Sequence, residues 1–354
     1  MPGKLRSSVL VGRLQVVTSI LLRPWVVVRH YNCRNRCDAQ MKVIFHYDCG
    51  PWLDTQLKSL AAEGLYVEVC SEDDETRFHY LLKTCDILWH VLRPVTADHI
   101  DSAPQLKLIQ KIGVGVNTID IKAATARSIA VCNMPGTNSQ AVAEMTLGLM
   151  LAVLRKLSAF DGQLREAGRW RSPAVWQDDL GEIKGRTIGL VGFGAVPMIL
   201  APILSAMGAR VLYCSRSSKP DQPYRQVSKA ELLADSDVIS LHLPETAQTR
   251  HWLDADAITQ MKPGAVLINT ARGGLVDESA LVSALQSGKL AGAGLDVFAA
   301  EPVTGDSAVL QLSNVVVTPH VAWLTRDTLE RSLAVAVDNA RRLIAGEVLT
   351  HRIA

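Results

Sequence analysis

The sequence predicts an α/β protein whose parallel sheets are covered by helices. Two observations carry that expectation. Short β-branched runs alternate with longer helical patterns from Met41 to the C-terminus. The chain's 354 residues, 48% hydrophobic and 20% charged, also suffice for two globular domains with buried cores. No short-period repeat and no low-complexity tract interrupts the pattern.

Residues 1–40 stand apart as an extension. They hold Lys4, Arg6, Arg13, Arg23, Arg29, Arg34 and Arg36 against Asp38 alone, although the whole chain carries only +2. This composition is like that of an organelle-targeting presequence. Arg23 and Pro24 break its apolar run, so no transmembrane helix and no membrane partner is expected. The reading preferred here is a start placed too far upstream, with the folded protein beginning at Met41. The remainder carries 30 basic and 34 acidic residues. Such a mildly acidic body lacks the basic face of nucleic-acid binders, which points to small-molecule chemistry. Cysteines 33, 37, 49, 70, 85, 132 and 214 are scattered and never spaced C-x-x-C. Neither a disulfide framework nor a metal site is indicated, and a reducing, cytoplasmic location fits.

In chain order, the first predicted strands are KVIFHY (42–47), YVEVC (66–70), DILWHV (86–91) and LKLIQKI (106–112). SQAVAEMTLGLMLAVLRKL (139–157) is too apolar for a surface helix and is predicted to lie buried between two domains. A polar segment punctuated by Gly, Pro and Trp follows over 162–185. The later strands are TIGLVG (187–192), RVLYCS (210–215), DVISLHL (237–243), AVLINTA (265–271), AGAGLDV (291–297) and NVVVTP (314–319).

GLVGFGAVP (189–197) joins the first of these later strands to a helix and nearly matches a dinucleotide-binding fingerprint. Gly192 and Gly194 supply the two glycines that approach phosphate, while Pro197 replaces the third. Near a helix start a missing N–H costs little, so the phosphate site survives. Gly189 is expected to make room for the proline ring. Pro202 falls inside the helix and should kink it. Twenty-three residues after Gly192 come Ser215 and Arg216, where an acidic residue would accept from the adenosine ribose and repel a 2′-phosphate. Ser–Arg favours NADP, with NAD possible.

Three further strand exits carry Arg272, Asp296 with Glu301, and His320. A guanidinium can clamp a carboxylate bidentately and polarise the adjoining carbonyl. A histidine with a carboxylate partner can exchange a proton with a developing alkoxide.

From about Met41 onward the chain resembles the D-isomer-specific 2-hydroxyacid dehydrogenase family. The motifs are LIQKIGVGVNTID (108–120), NMPGTNSQAVAE (133–144), GLVGFGAVP (189–197), LHLPET (241–246), NTARGGLVDE (269–278), GLDVFAAEP (294–302) and TPHVAW (318–323). The resemblance implies Arg272, Glu301 and His320 as the catalytic set and Asp296 as a contact to the nicotinamide carboxamide. It implies further cofactor contacts at Ala195, Val196, Leu243, Pro244, Thr249, Thr270, Ala271 and His320. The substrate would meet Arg272, His320 and backbone amides around Leu92, Arg93, Val114 and Gly115. The implied fold is two Rossmann-like domains, with a dinucleotide-binding domain (140–321) inserted into a discontinuous flavodoxin-like substrate domain (41–139 and 322–354). A homodimer formed through the cofactor domain is implied as well.

Within the family the motifs look most like glyoxylate and hydroxypyruvate reductases, acting on a small 2-keto or 2-hydroxy acid. The nearest rival is a 3-phosphoglycerate dehydrogenase, for which Arg93 is the obvious phosphate ligand; the chain leaves no room after its last helix for an appended regulatory domain. A rival from another class is an NAD(H)-sensing corepressor or binding protein.

Overall fold

A computed structural model of the chain describes residues 40–168, 170 and 173–354. The extension expected over residues 1–40 lies, but for its last residue, outside the described residues. The remainder holds two parallel sheets. The first consists of β1 (Met41–His46), β2 (Leu65–Cys70), β3 (Ile87–His90), β4 (Leu108–Lys111) and β5 (Ala130–Cys132), in the order β2-β1-β3-β4-β5. The second consists of β6 (Thr187–Val191), β7 (Arg210–Cys214), β8 (Arg225–Gln226), β9 (Val238–Leu241), β10 (Ala265–Asn269), β11 (Leu290–Leu295) and β12 (Val315–Val317). Its order is β12-β11-β10-β9-β6-β7-β8.

The first order is that of flavodoxin-like sheets, and the second is the doubly wound dinucleotide-binding order with one more strand at its edge. In each sheet the strand order reverses beside the first strand. Ligands bind outside the carboxyl ends of strands at such a reversal.

Crossover helices cover both sheets. Over the first sheet lie α1 (Pro51–Ser59), α2 (Glu75–Leu82), α3 (Ala97–Asp101) and α4 (Ile121–Ala126). Next come α5 (Ser139–Leu154) and α6 (Leu157–Ala167). The second sheet's helices are α7 (Ala195–Ala206), α8 (Lys229–Asp235), α9 (Ala255–Gln260) and α10 (Glu278–Gln286), and α11 (Arg326–Ala345) ends the series. Asp74, Asp120, Ser228, Asp254, Asp277 and Thr325 each accept a first-turn N–H of the helix they precede. By contrast, α7 starts at Gly194 with no side-chain cap.

Helix α5 joins the two cores. Its Val142 packs with Phe45 and Trp89 beneath the first sheet, whereas Leu149, Met150 and Leu154 pack with Ile188 and Ile268 beneath the second. The helix is shorter than the sequence predicts. It stops at Leu154, the backbone turns at Lys156 with φ +50°, and α6 occupies the start of the expected polar segment. Strands β5, three residues with one β-branched side chain, and β8, only two residues, show too little pattern, whereas the three valines of β12 suffice.

The chain returns to the first sheet at its end. Ala336, Val337 and Ala340 of α11 join the core around Val43 and Leu108. Ile353 and Ala354 pair with Val131 of β5. Between them Asn339, fully buried, donates to Gln110 Oε1 (2.7 Å) and to the Thr350 carbonyl (3.1 Å). Its own oxygen accepts from the Thr350 amide (2.8 Å) and hydroxyl (2.9 Å).

Pro197 is the third residue of α7 and buried, where no intrahelical donor is needed; the first bond runs from Met198 N to Gly194 O (3.0 Å). Gly189 does not shelter its ring as expected. A Cβ at Gly189 would lie 2.3 Å from Ser236 Oγ and 2.8 Å from Leu232 Cδ2, so the glycine admits α8 and the turn after it. Pro202 does lie inside α7, on its exposed side, and deprives the Met198 carbonyl of its helical donor.

Asn339→Leu should strand Gln110 Oε1 and the Thr350 amide in a dry interior, costing about 2–4 kcal/mol. The check is the urea midpoint of unfolding, and an unchanged midpoint would show that the C-terminal tie contributes nothing.

Candidate active site

The strand ends of both sheets face a cleft of about 220 Å³. Lys111, Val114 and Gly115 line it from the first sheet's side, and Thr270, Arg272, Glu301 and His320 from the second.

Arg272 leaves β10 on a turn held by Asn269, whose side chain accepts from the Ala271 amide (3.1 Å) and donates to the Arg272 carbonyl (2.9 Å). Its Nη1 donates to the Ala271 carbonyl (2.5 Å) and its Nε to Asn117 Oδ1 (3.3 Å) across the cleft. A Cβ at Gly115 would sit 1.9 Å from Nη2, so only glycine leaves the guanidinium its place. Burial lowers the Arg272 pKa while Glu301 and Glu245 pull it up. A guanidinium starts so high that it keeps its charge.

His320 sits in the left-handed region, φ +54°. Asp296 holds it there. The Asp296 carbonyl accepts from the His320 amide (2.8 Å), while its carboxylate accepts from Val321 N (2.8 Å), Ala322 N (2.9 Å) and Thr318 Oγ1 (2.6 Å). Trp323 Nε1 donates to the His320 carbonyl (3.0 Å). The imidazole Nδ1 lies 2.6 Å from Glu301 Oε2, and Glu301 Oε1 accepts from the Phe298 amide (2.9 Å). Burial alone would raise the Glu301 pKa, but the bond to His320 and the nearby Arg272 charge bring it below its usual value. The ring is therefore aimed by an ionised carboxylate and leaves Nε2 for a reactant.

The implied Asp296 contact to nicotinamide meets a carboxylate already holding three hydrogen bonds. Two of the amides implied for the substrate already have a partner here. The amides of Leu92 and Arg93 both donate to Glu72 Oε1, each at 2.7 Å, so they are committed within the chain. Val114 and Gly115 remain on the cleft wall with Arg272.

At the second sheet's reversal point, Gly192 has φ +92°, and a Cβ there would meet the His242 carbonyl at 2.6 Å. Its amide donates to the Cys214 carbonyl (2.7 Å), which sets Ser215 and Arg216 beside the glycine turn. Ser215 Oγ donates to the Ser217 carbonyl (2.6 Å), and Arg216 is exposed. A Cβ on Gly194 would meet nothing within 4 Å, so the space above the uncapped start of α7, at Ala195 and Val196, is open. Free helix N-termini of this kind bind phosphate. Leu243 and Pro244 begin the loop after β9, which Thr249 folds by donating to the Pro244 carbonyl (2.6 Å). Thr270 Oγ1 pairs with Thr146 Oγ1 (2.8 Å) beside Ala271. Glycines, helix start and loop together fit a dinucleotide.

The described residues also bring Glu75, His79 and His99 within 4.8 Å of one another. His99 Nδ1 accepts from the Thr96 amide (3.2 Å), so its Nε2 carries the proton that faces Glu75 (2.7 Å) and offers no lone pair to a metal.

Comparison with known proteins agrees with this geometry. Residues 147–322 match the family model "D-isomer specific 2-hydroxyacid dehydrogenase, NAD binding domain". A hydroxypyruvate reductase of Thermotoga maritima is 37% identical over 286 residues, covering 79% of this chain and 92% of that protein. The chain belongs to the D-isomer specific 2-hydroxyacid dehydrogenase family. D-3-phosphoglycerate dehydrogenase of Mycobacterium tuberculosis is 38% identical over 296 residues, covering 82% of this chain but 55% of the relative. The chain thus spans about half the length of such relatives. The solved TT0316 protein of Thermus thermophilus has a TM-score of 0.81 and 35% identity, covering 89% of this chain and 100% of that one.

Among the cleft residues that sequence reading missed are Lys111, Asn117, Thr118 and Glu245. Lys111 left one signal, a lone cation inside the apolar run LIQKI. Its Nζ donates to the Val91 carbonyl and lies 3.5 Å from Thr118 Oγ1. Burial and then the Arg272 charge lower its pKa to about 7, against the pull of Glu72. A base so shifted is charged below pH 7 and neutral above it. Oxalate affinity should therefore fall about 5- to 10-fold from pH 6 to pH 8, as the second cation beside Arg272 is lost. Calorimetry at the two pH values checks this, and Lys111→Met should shrink the fall to what the His320–Glu301 pair contributes; equal falls in wild type and variant would take Lys111 out of anion binding.

Proposed function

We propose that this chain reduces small 2-keto acids to D-2-hydroxy acids, with glyoxylate and hydroxypyruvate as its substrates and NADPH as the preferred reductant. The observation that carries the reading is the convergence of Arg272 with the His320–Glu301 pair on one cleft beside an open phosphate cradle. The division of labour follows: residues 41–139 and 322–354 hold the substrate, and 140–321 hold the cofactor. The active form is a cytoplasmic homodimer joined through the cofactor part. Leu157, Leu164 and Val175, exposed apolar side chains beyond α5, support that pairing.

A nicotinamide cofactor held at Gly192, Gly194 and the start of α7 would supply the hydride for the substrate's C2. Arg272 clamps the carboxylate and draws electron density from the adjoining carbonyl, with the Val114 and Gly115 backbone beside it. His320 Nε2 gives its proton to the carbonyl oxygen as charge develops there. Glu301 keeps the ring aimed and favours its charged form, and in the reverse direction the same nitrogen takes the proton back.

His320→Ala should cut kcat by about 10²- to 10⁴-fold with the fold intact, and Arg272→Lys should lower kcat/KM severely because an ammonium cannot make the bidentate clamp. Glyoxylate reduction alongside circular dichroism tests both, and a folded His320→Ala enzyme with a near-normal rate removes the proton-transfer role.

The cofactor preference comes from Ser215 and Arg216. Ser215 brings no charge against a 2′-phosphate, and Arg216 can donate to it. Charged hydrogen bonds contribute about 1.5–3 kcal/mol, so NADPH should lead NADH by about 10- to 150-fold in kcat/KM. Ser215→Asp should reverse the order at fixed ionic strength. A wild type that uses NADH equally well would mean that Arg216 points away from the ribose.

A further inference from the structure

A second cavity of about 530 Å³ shares Leu92, Phe298, Glu301 and His320 with the active-site cleft. Its walls are largely apolar, with Leu92 and Pro94 on one side and Phe298, Pro302, Val303 and Pro319 on the other. A 2-keto acid whose carboxylate lies against Arg272 and Gly115, with its carbonyl carbon at His320, has one substituent left to place. The second cavity, which His320 also lines, is the space on offer to it.

The polar rim of this cavity is formed by Glu72, Asp73 and Arg93. Two features there suit an anion, and the chain's own carboxylates already occupy both. The paired Leu92 and Arg93 amides donate to Glu72 Oε1. The Arg93 guanidinium donates to the Glu72 carbonyl and lies 3.7 Å from Asp73 Oδ1 and 3.6 Å from Glu75 Oε2. Two carboxylates, Asp73 and Glu75, thus flank one arginine, and the Glu72 carboxylate sits on the neighbouring amides. A distal carboxylate or phosphate would lose its water on entering, meet no free cation, and be repelled by the rim. An aliphatic chain would gain by burial against the proline and phenylalanine walls.

We propose that this cavity receives the side chain of the 2-keto acid, and that it admits uncharged or cationic side chains while refusing anionic ones. The proposal rests on the keto-acid reading above. Glyoxylate has only hydrogen in that position and does not reach the cavity, so it reports the reaction without the pocket.

The experiment measures kcat/KM for glyoxylate, 4-methyl-2-oxopentanoate, 5-guanidino-2-oxopentanoate, 2-oxoglutarate and 3-phosphohydroxypyruvate with one reduced cofactor. 4-Methyl-2-oxopentanoate and 2-oxoglutarate are close in size and differ in the distal charge. The branched acid should lead by about 10-fold or more, with the guanidino acid also ahead of both anions. Val303→Trp fills the cavity and should lower the ratio of 4-methyl-2-oxopentanoate to glyoxylate by about 10-fold. Glu72→Gln removes a rim charge and should raise 2-oxoglutarate relative to the branched acid. If glyoxylate is reduced but either anion matches the neutral acid, or Val303→Trp leaves the ratio unchanged, the pocket is misassigned. If not even glyoxylate is reduced, the keto-acid reading falls and the pocket falls with it.

Discussion

The geometry of the cleft depends on one close approach, the Arg272 guanidinium against the backbone at Gly115. The two groups belong to different sheets and are 157 positions apart in the chain. With a Cβ at 115 the guanidinium would have to move by more than an ångström, and the Asn117 contact across the cleft would go with it. A buried cation needs partners, and Arg272 finds them in the Ala271 carbonyl, Asn117 and the field of Glu301 and Glu245. That arrangement leaves part of the guanidinium turned toward the cleft, where an anionic reactant can complete its hydrogen bonding.

The other half of the machinery is a strained loop. A histidine at φ +54° costs energy that its neighbours must offset. Asp296 does so with its carbonyl and both carboxylate oxygens, taking three backbone amides and one hydroxyl from residues 318–322. Burial pushes the Asp296 pKa up while these bonds and the His320 ring pull it down. The residue is 1% exposed, and its first task is to fix the loop that carries His320. Glu301 then sets the ring's orientation from a second loop, itself fixed by the Phe298 amide. Backbone strain and side-chain aim are handled by separate carboxylates.

Much of this was legible in the sequence. The other ten strands were readable, most of them from β-branched residues between turn residues, and the fingerprint was readable because Gly192 and Gly194 sit at a strand-to-helix junction. Arg272, Glu301 and His320 could be picked out by residue type at strand exits. What escaped depends on distance in the chain or on short length. Asn117 matters through a contact 155 residues away, and no local pattern announces it. Glu72 looked like one acid among several after β2, yet it takes the two amides that family resemblance assigns to substrate. Gly189 was assigned to the wrong neighbour, because strand pattern does not say which helix packs above it.

Glu72 and Lys111 together show how the first sheet divides its charges between two spaces. Lys111 faces the cleft that Arg272 enters, where positive charge accumulates until burial and Arg272 bring the lysine near neutrality. Glu72 faces the neighbouring cavity, where burial raises its pKa and the Leu92 and Arg93 amides hold it down. Each group stabilises the charged form of the other, so a neutral Lys111 makes Glu72 easier to protonate. A cationic cleft and an acid-rimmed cavity therefore lie on either side of Leu92.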